Sequence, residues 1–291
     1  MCAIAAPVAA HAQAYVAERG SVSGSLTYNY GFASAIAMSD GFEYKDQFVR
    51  TQAMVLGAEY VPLENLAVGL TLPFIAVIYD AEQSGALYDP HGPYDDGSYH
   101  FNLQDLRADA RYMVLESPVT LAVNLGLTMP LTDYAVQGSA ALGRHLVQGR
   151  LGVFASYSPT FLGRAFISGG YELTLSQKFD KSPDTAKFGQ TRSDVNAQLG
   201  YFATDTLAIF LTSLARIQHD GVDFVKFDSL TADQQIFHDG ILKEAVLLAG
   251  LGASYQLTDA LSLNAGYAQF IGGRNTLKSN AASLSVGWAI R

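Results

Sequence analysis

Cysteine, charge and long apolar runs are all scarce in this 291-residue chain. The single cysteine, Cys2, stands at the extreme start, so the rest of the chain has no thiolate chemistry and no disulfide to form. Only 15% of the residues are charged and the formal net charge is -9. Neutralising phosphates needs clustered Lys and Arg, so nucleic acid is excluded as a partner. No window holds about eighteen consecutive apolar residues, which excludes a transmembrane helix. A membrane barrel stays open, because alternation along strands hides its hydrophobicity.

What the sequence does contain is a strict period of two. Residues 119–129 read VTLAVNLGLTM, with Val119, Leu121, Val123, Leu125, Leu127 and Met129 on one parity and Thr120, Ala122, Asn124, Gly126 and Thr128 on the other. In a strand this makes one apolar face and one small, mostly polar face. Similar series recur from end to end, among them Val22 to Tyr30, Leu66 to Phe74, Leu106 to Val114, Val147 to Tyr157, Ala165 to Leu175, Val195 to Tyr201, Leu247 to Tyr255 and Leu284 to Ile290. They predict about twelve strands, many about ten residues long, which is what a tilted strand needs to cross a bilayer. Sandwich strands usually run to about five or six.

The connections are asymmetric. Short turns rich in Pro, Asp, Asn, Ser and Thr fall at residues 62–65, 116–118, 158–163, 204–206 and 258–260. Between them lie the long polar stretches 80–102, 130–144, 178–191 and 218–240. Short and long alternate after the first hairpin, as they do in strands that meander between tight periplasmic turns and long extracellular loops. The fold expected is all-β, a transmembrane antiparallel up-and-down β-barrel.

The face opposite the apolar one then lines a lumen. Asp105, Arg107, Asp109 and Arg111 alternate with Leu106, Ala108 and Ala110, and Arg150, Glu172, Asp194, Asn196, Gln198 and Glu244 share that register on other strands. The expected constriction is set by Arg107, Arg111 and Arg150 facing Asp109, Glu172 and Asp194. Tyr60, Tyr157, Tyr201 and Tyr255 each stand within a few residues of a short turn, as an aromatic girdle requires.

The first residues, MCAIAAPVAAHAQA, form a short apolar run closed by Ala12-Gln13-Ala14, a cleavage pattern. Residues 1–14 therefore read as a signal-peptide remnant and 15–291 as one barrel domain, exported to the outer membrane of a Gram-negative cell.

The run EYVPLENLAVGLTLPFI resembles the strand, tight turn, strand, Leu-Pro repeat of the outer-membrane channels assigned to the phenol meta-cleavage pathway. The segment LGLTMPLTDYAVQGSAALGRH is similar to that family's strand, Pro, Thr/Gly-rich loop and Gly. At the C-terminus, Ser285, Gly287 and Ile290 match three positions of the signal that the barrel-assembly machinery reads. The resemblance implies a channel or transporter for hydrophobic or aromatic compounds, with outer-membrane lipid and small-molecule solutes as partners.

A closed structural or surface-interaction barrel, its lumen held by salt bridges, is the alternative. An outer-membrane phospholipase is a further one. It needs a Ser, His and Asn set facing lipid, and although the histidines other than His11 fall in or near long stretches, no nucleophile elbow accompanies them. In YDPHGPYDDGSYHF, Asp89, Asp95, Asp96 and Asn102 offer oxygens but miss the EF-hand spacing. The same stretch carries Tyr88, Tyr94, Tyr99 and Phe101, which suit a lid. No cofactor or metal is expected, and no enzymatic activity.

Overall fold

Alternation of side chains commits nearly every segment to a strand with one lipid-coloured face, and hydrogen bonding then decides how the strands close. The computed structural model describes residues 14–80, 94–225 and 230–290. Its strands are β1 (Val22–Ala37), β2 (Glu43–Leu63), β3 (Leu66–Asp80), β4 (His100–Leu103), β5 (Asp105–Leu115), β6 (Thr120–Pro130), β7 (Gln148–Tyr157), β8 (Ala165–Ser176), β9 (Arg192–Phe202), β10 (Leu207–Gln218), β11 (Ala245–Thr258), β12 (Leu261–Arg274) and β13 (Thr276–Ile290). All pairings among them are antiparallel, and β1 pairs with β13 from Val22 opposite Ile290 to Ala37 opposite Thr276. The sheet is therefore a closed barrel of twelve strands with one extra.

The extra strand has a local cause. On β3, Phe74 to Val77 pair with Leu103 to His100 and Leu66 to Thr71 with Tyr112 to Arg107. Strands β4 and β5 are thus one stave interrupted at Gln104, whose amide donates to Pro73 O at 2.9 Å.

Closure leaves no exposed strand edge and turns one face wholly outward. That face is apolar: Leu125 is 63% exposed, Leu211 62% and Leu251 61%, while inward neighbours such as Ala122, Asn124 and Thr128 are buried. A continuous apolar belt of this kind belongs against acyl chains, not water.

The two rims differ. At the turn end the links are short, as expected, and at the loop end the connections after β3, β6, β8 and β10 are long. The expected alternation lapses once more than the sequence suggested, because β12 and β13 are joined at the loop end by Asn275 alone, in a left-handed conformation (φ 52°).

The long stretches are not all solvated loops, and this corrects the sequence reading. From the β6–β7 connection, Tyr134, Val136, Ala140, Leu142 and Leu146 are buried against Val49, Ala53, Ile75, Val77 and Tyr79 of β2 and β3. Phe179 from the β8–β9 connection and Ile241 from the β10–β11 connection join the same cluster. The β10–β11 connection carries two short helices, α1 (Ala232–Ile236) and α2 (His238–Ile241). At the opposite rim, Val16 packs on Val61, Ala67 and Met113, so the segment before β1 is seated on inner-face residues at the turn end.

Candidate functional site

The lumen is where strand charges cluster, and barrel closure decides which of them meet. On β5, Asp105, Arg107, Asp109 and Arg111 share the inward parity, because Tyr112 and Val114, on the alternate parity of the same strand, are exposed on the outside. Asp109 stands opposite Gly126 on β6, and Gly126 opposite Arg150 on β7. With no side chain on the middle strand, Arg150 reaches over it to Asp109 at 2.8 Å. Asn124 adds a donor to the same carboxylate at 3.0 Å. A Cβ at Gly126 would lie 2.6 Å from Arg150 Nη2 and 2.7 Å from Asp109 Oδ1, so the glycine is the slot in which this pair sits.

Arg150 also meets Glu172 of β8 at 3.4 Å. Arg107 approaches the same Glu172 at 4.0 Å. Glu172 lies three strand spacings from β5 and on the register row of Arg111, four residues along from Arg107. The curvature of the wall and the length of the Arg107 side chain bring the two within 4.0 Å. Glu172 is the register partner of Asp194 on β9, and Asp194 is held by Arg216 at 2.7 Å and Arg192 at 3.3 Å.

The expected set is therefore largely brought together, with different partners. Arg111 pairs with Glu59 of β2 at 2.7 Å and not with the acids named from the sequence. Asp194 takes Arg216 and Arg192 in place of Arg107, Arg111 or Arg150. Glu244, just before β11, sits nearer the loop end, against Arg144 at 3.4 Å and the Thr276 hydroxyl at 2.8 Å. Asn196 is inward, its Oδ1 buried without a hydrogen-bond partner among the described residues. Glu59, Arg144, Arg192 and Arg216 were missed. Arg216 was findable: it follows the inward parity of Ala208 and Phe210, but those apolar inward residues blur the alternation of β10.

At the loop end the β6–β7 connection is pinned by specific polar contacts. Asp95 accepts from Ser139 N at 2.9 Å and Ala140 N at 2.7 Å. Tyr134 donates to Asp105 Oδ1 and accepts from His145 N at 2.9 Å. Burial raises the Tyr134 phenol above its ordinary value, and the adjacent Asp105 carboxylate raises it further. Gly138 N donates to Ile236 O at 2.9 Å, tying the connection to α1. Asp96 is engaged by Ser98 N and His100, each at 2.9 Å, so these aspartates serve the loop and do not converge on a cation. Asp89, Tyr88 and His91 lie outside the described residues, and the lid reading of that stretch with them.

The four tyrosines Tyr60, Tyr157, Tyr201 and Tyr255 face outward near the turn end, three of them almost half exposed. On the outer face near the loop end, Ser193 Oγ lies 2.8 Å from His219 Nε2 and 2.8 Å from Tyr171 OH. This Ser–His contact was invisible in the sequence. Among the described residues no carboxylate or carboxamide bonds the other imidazole nitrogen, so the third member of a hydrolytic set is missing.

The chain matches no protein-family profile and no curated protein sequence. In fold it is similar to an outer-membrane channel from Pseudomonas putida F1, with a TM-score of 0.73 at 13% identity, covering 94% of this chain and 97% of that one. It is also similar to the NanC porin (TM-score 0.52, 9% identity, 90% and 98% covered) and to the β-domain of the Bordetella autotransporter BrkA (TM-score 0.53, 10% identity, 94% and 100% covered). The architecture is that of bacterial outer-membrane barrels.

Proposed function

We propose that the protein is an outer-membrane channel or transporter for small hydrophobic or aromatic solutes, with its turn end in the periplasm and its loop end outside. The observation that carries this is the Arg107 side chain, which reaches toward Glu172 of β8 yet stays 45% exposed. A side chain that only stabilised a filled interior would be enclosed, as Arg150 is at 2%. Open space therefore adjoins the charged constriction. The similarity in fold to an outer-membrane channel and a porin supports the same reading.

A closed structural barrel is the second reading, favoured by the apolar cluster over the loop-end mouth. Single-channel recording of refolded protein in a planar bilayer separates the two. Discrete conductance, altered by Arg107→Ala, is expected for a lumenal pore. Silence in wild type and variant, with heat-modifiable folding intact, would establish the closed barrel.

A further inference from the structure

We propose that the lumen holds a binding site for a small amphipathic monocarboxylate, its carboxylate on Arg107 and its apolar body on Phe154, Leu214 and Leu248. The inference rests on the channel reading to the extent that the ligand must reach the lumen. Two joined groups of contacts supply the charge argument. Arg107, Arg150, Glu172 and Asp109 form one, and Arg192, Asp194 and Arg216 form the other, with Glu172 and Asp194 in register between them. Within these contacts four guanidinium groups meet three carboxylates, and the remaining inward acid of β5, Asp105, is engaged by the Tyr134 hydroxyl.

Arg107 is the least engaged of the four. The side chains of Arg150, Arg192 and Arg216 are 2%, 18% and 10% exposed and lie within 3.4 Å of a carboxylate, whereas Arg107 is 45% exposed and no closer than 4.0 Å to Glu172. Guanidinium stays charged at any working pH, and its fork of N–H donors matches a carboxylate in two parallel hydrogen bonds.

Below the ring the lumen wall turns apolar. Leu214 is the next inward residue after Arg216 and is paired with Leu248 of β11. Phe154 follows Arg150 and Gly152 on the inward parity of β7, its ring laid over Gly170 of β8. All three apolar side chains are part-exposed. Phe154, Gly170, Asn196, Leu214 and Leu248 share one register row, and Gly170 is one inward step, about 6.6 Å, from Glu172, so an aryl or alkyl body held by the Arg107 guanidinium beside Glu172 points onto this wall. A second negative charge on the ligand would meet Asp109, Glu172 and Asp194, which selects a monoanion.

The test is isothermal titration of the refolded barrel in zwitterionic detergent with 4-phenylbutyrate, 4-phenylbutan-1-ol and acetate. Saturable one-to-one binding of 4-phenylbutyrate is expected, with the alcohol and acetate each weaker by about tenfold or more. Arg107→Gln should lose the preference for the acid over the alcohol, and Arg107→Lys, which keeps the charge but not the fork, should retain part of it. Equal heats for acid and alcohol on wild type, or for wild type and a folded Arg107→Gln, would overturn the site. If Arg107→Gln does not fold, Arg107→Lys with undiminished preference for the acid overturns the bidentate role. A wild type that conducts without binding 4-phenylbutyrate sinks the site and leaves the channel. One that binds it and stays electrically silent does the reverse.

Discussion

Gly126 shows how much a single residue settles inside this barrel. Its missing side chain lets Arg150 cross β6 to Asp109, so Gly126→Ala should push the guanidinium off its partner. Overpacking a close-fitted site costs about 1–3 kcal/mol, read as a lower denaturant midpoint for unfolding from lipid vesicles. Gly149 is the control: it faces outward with nothing within 4 Å of an added Cβ, and Gly149→Ala should leave the midpoint unchanged. Gly126 was legible as an inward small residue leaving room for charge. Its partners were not, because which arginine crosses a glycine depends on register between three strands.

At the scale of the element, period two carried nearly all the information. Leu125 projects from the middle of β6 into the apolar belt, so Leu125→Arg should destabilise the barrel by about 2–4 kcal/mol if it lies at the bilayer midplane. An unchanged midpoint would place it in water and undo the assignment of faces. The β6–β7 connection is the element that the sequence hid, since no local period announces that a polar-looking stretch will bury Tyr134, Val136 and Leu142 over the mouth. Its docking should depend on pH in one direction. The Tyr134 phenol is raised in the folded state, so the stabilisation is fully present below the ordinary tyrosine value of about 10 and declines as pH rises above it. Protease cleavage in residues 135–143 should accelerate above that pH in wild type. Tyr134→Phe should be cleaved faster at neutral pH and show no such rise.

For the whole molecule, the question is whether the cluster at the loop end throttles the lumen. Replacing residues 135–143 with a short Gly-Ser link removes Val136, Ala140 and Leu142 from it. Single-channel conductance should rise several-fold, while an unchanged value would place the narrowest point at the arginines below. Fold, strand number and outward face were readable because each strand states its own faces. The approach of Arg107 to Glu172 was not, because it joins residues three strands apart that only a curved wall brings near. That closure has a consequence in time. The first strand is hydrogen-bonded to the last, Val22 against Ile290, so a nascent chain emerging N-terminus first keeps β1 unpaired on one side until β13 arrives. Every intermediate would then expose two raw edges to a solvent of lipid that cannot satisfy them. Zipping this seam is the step that removes both edges at once, and its failure would leave an aggregation-prone open sheet.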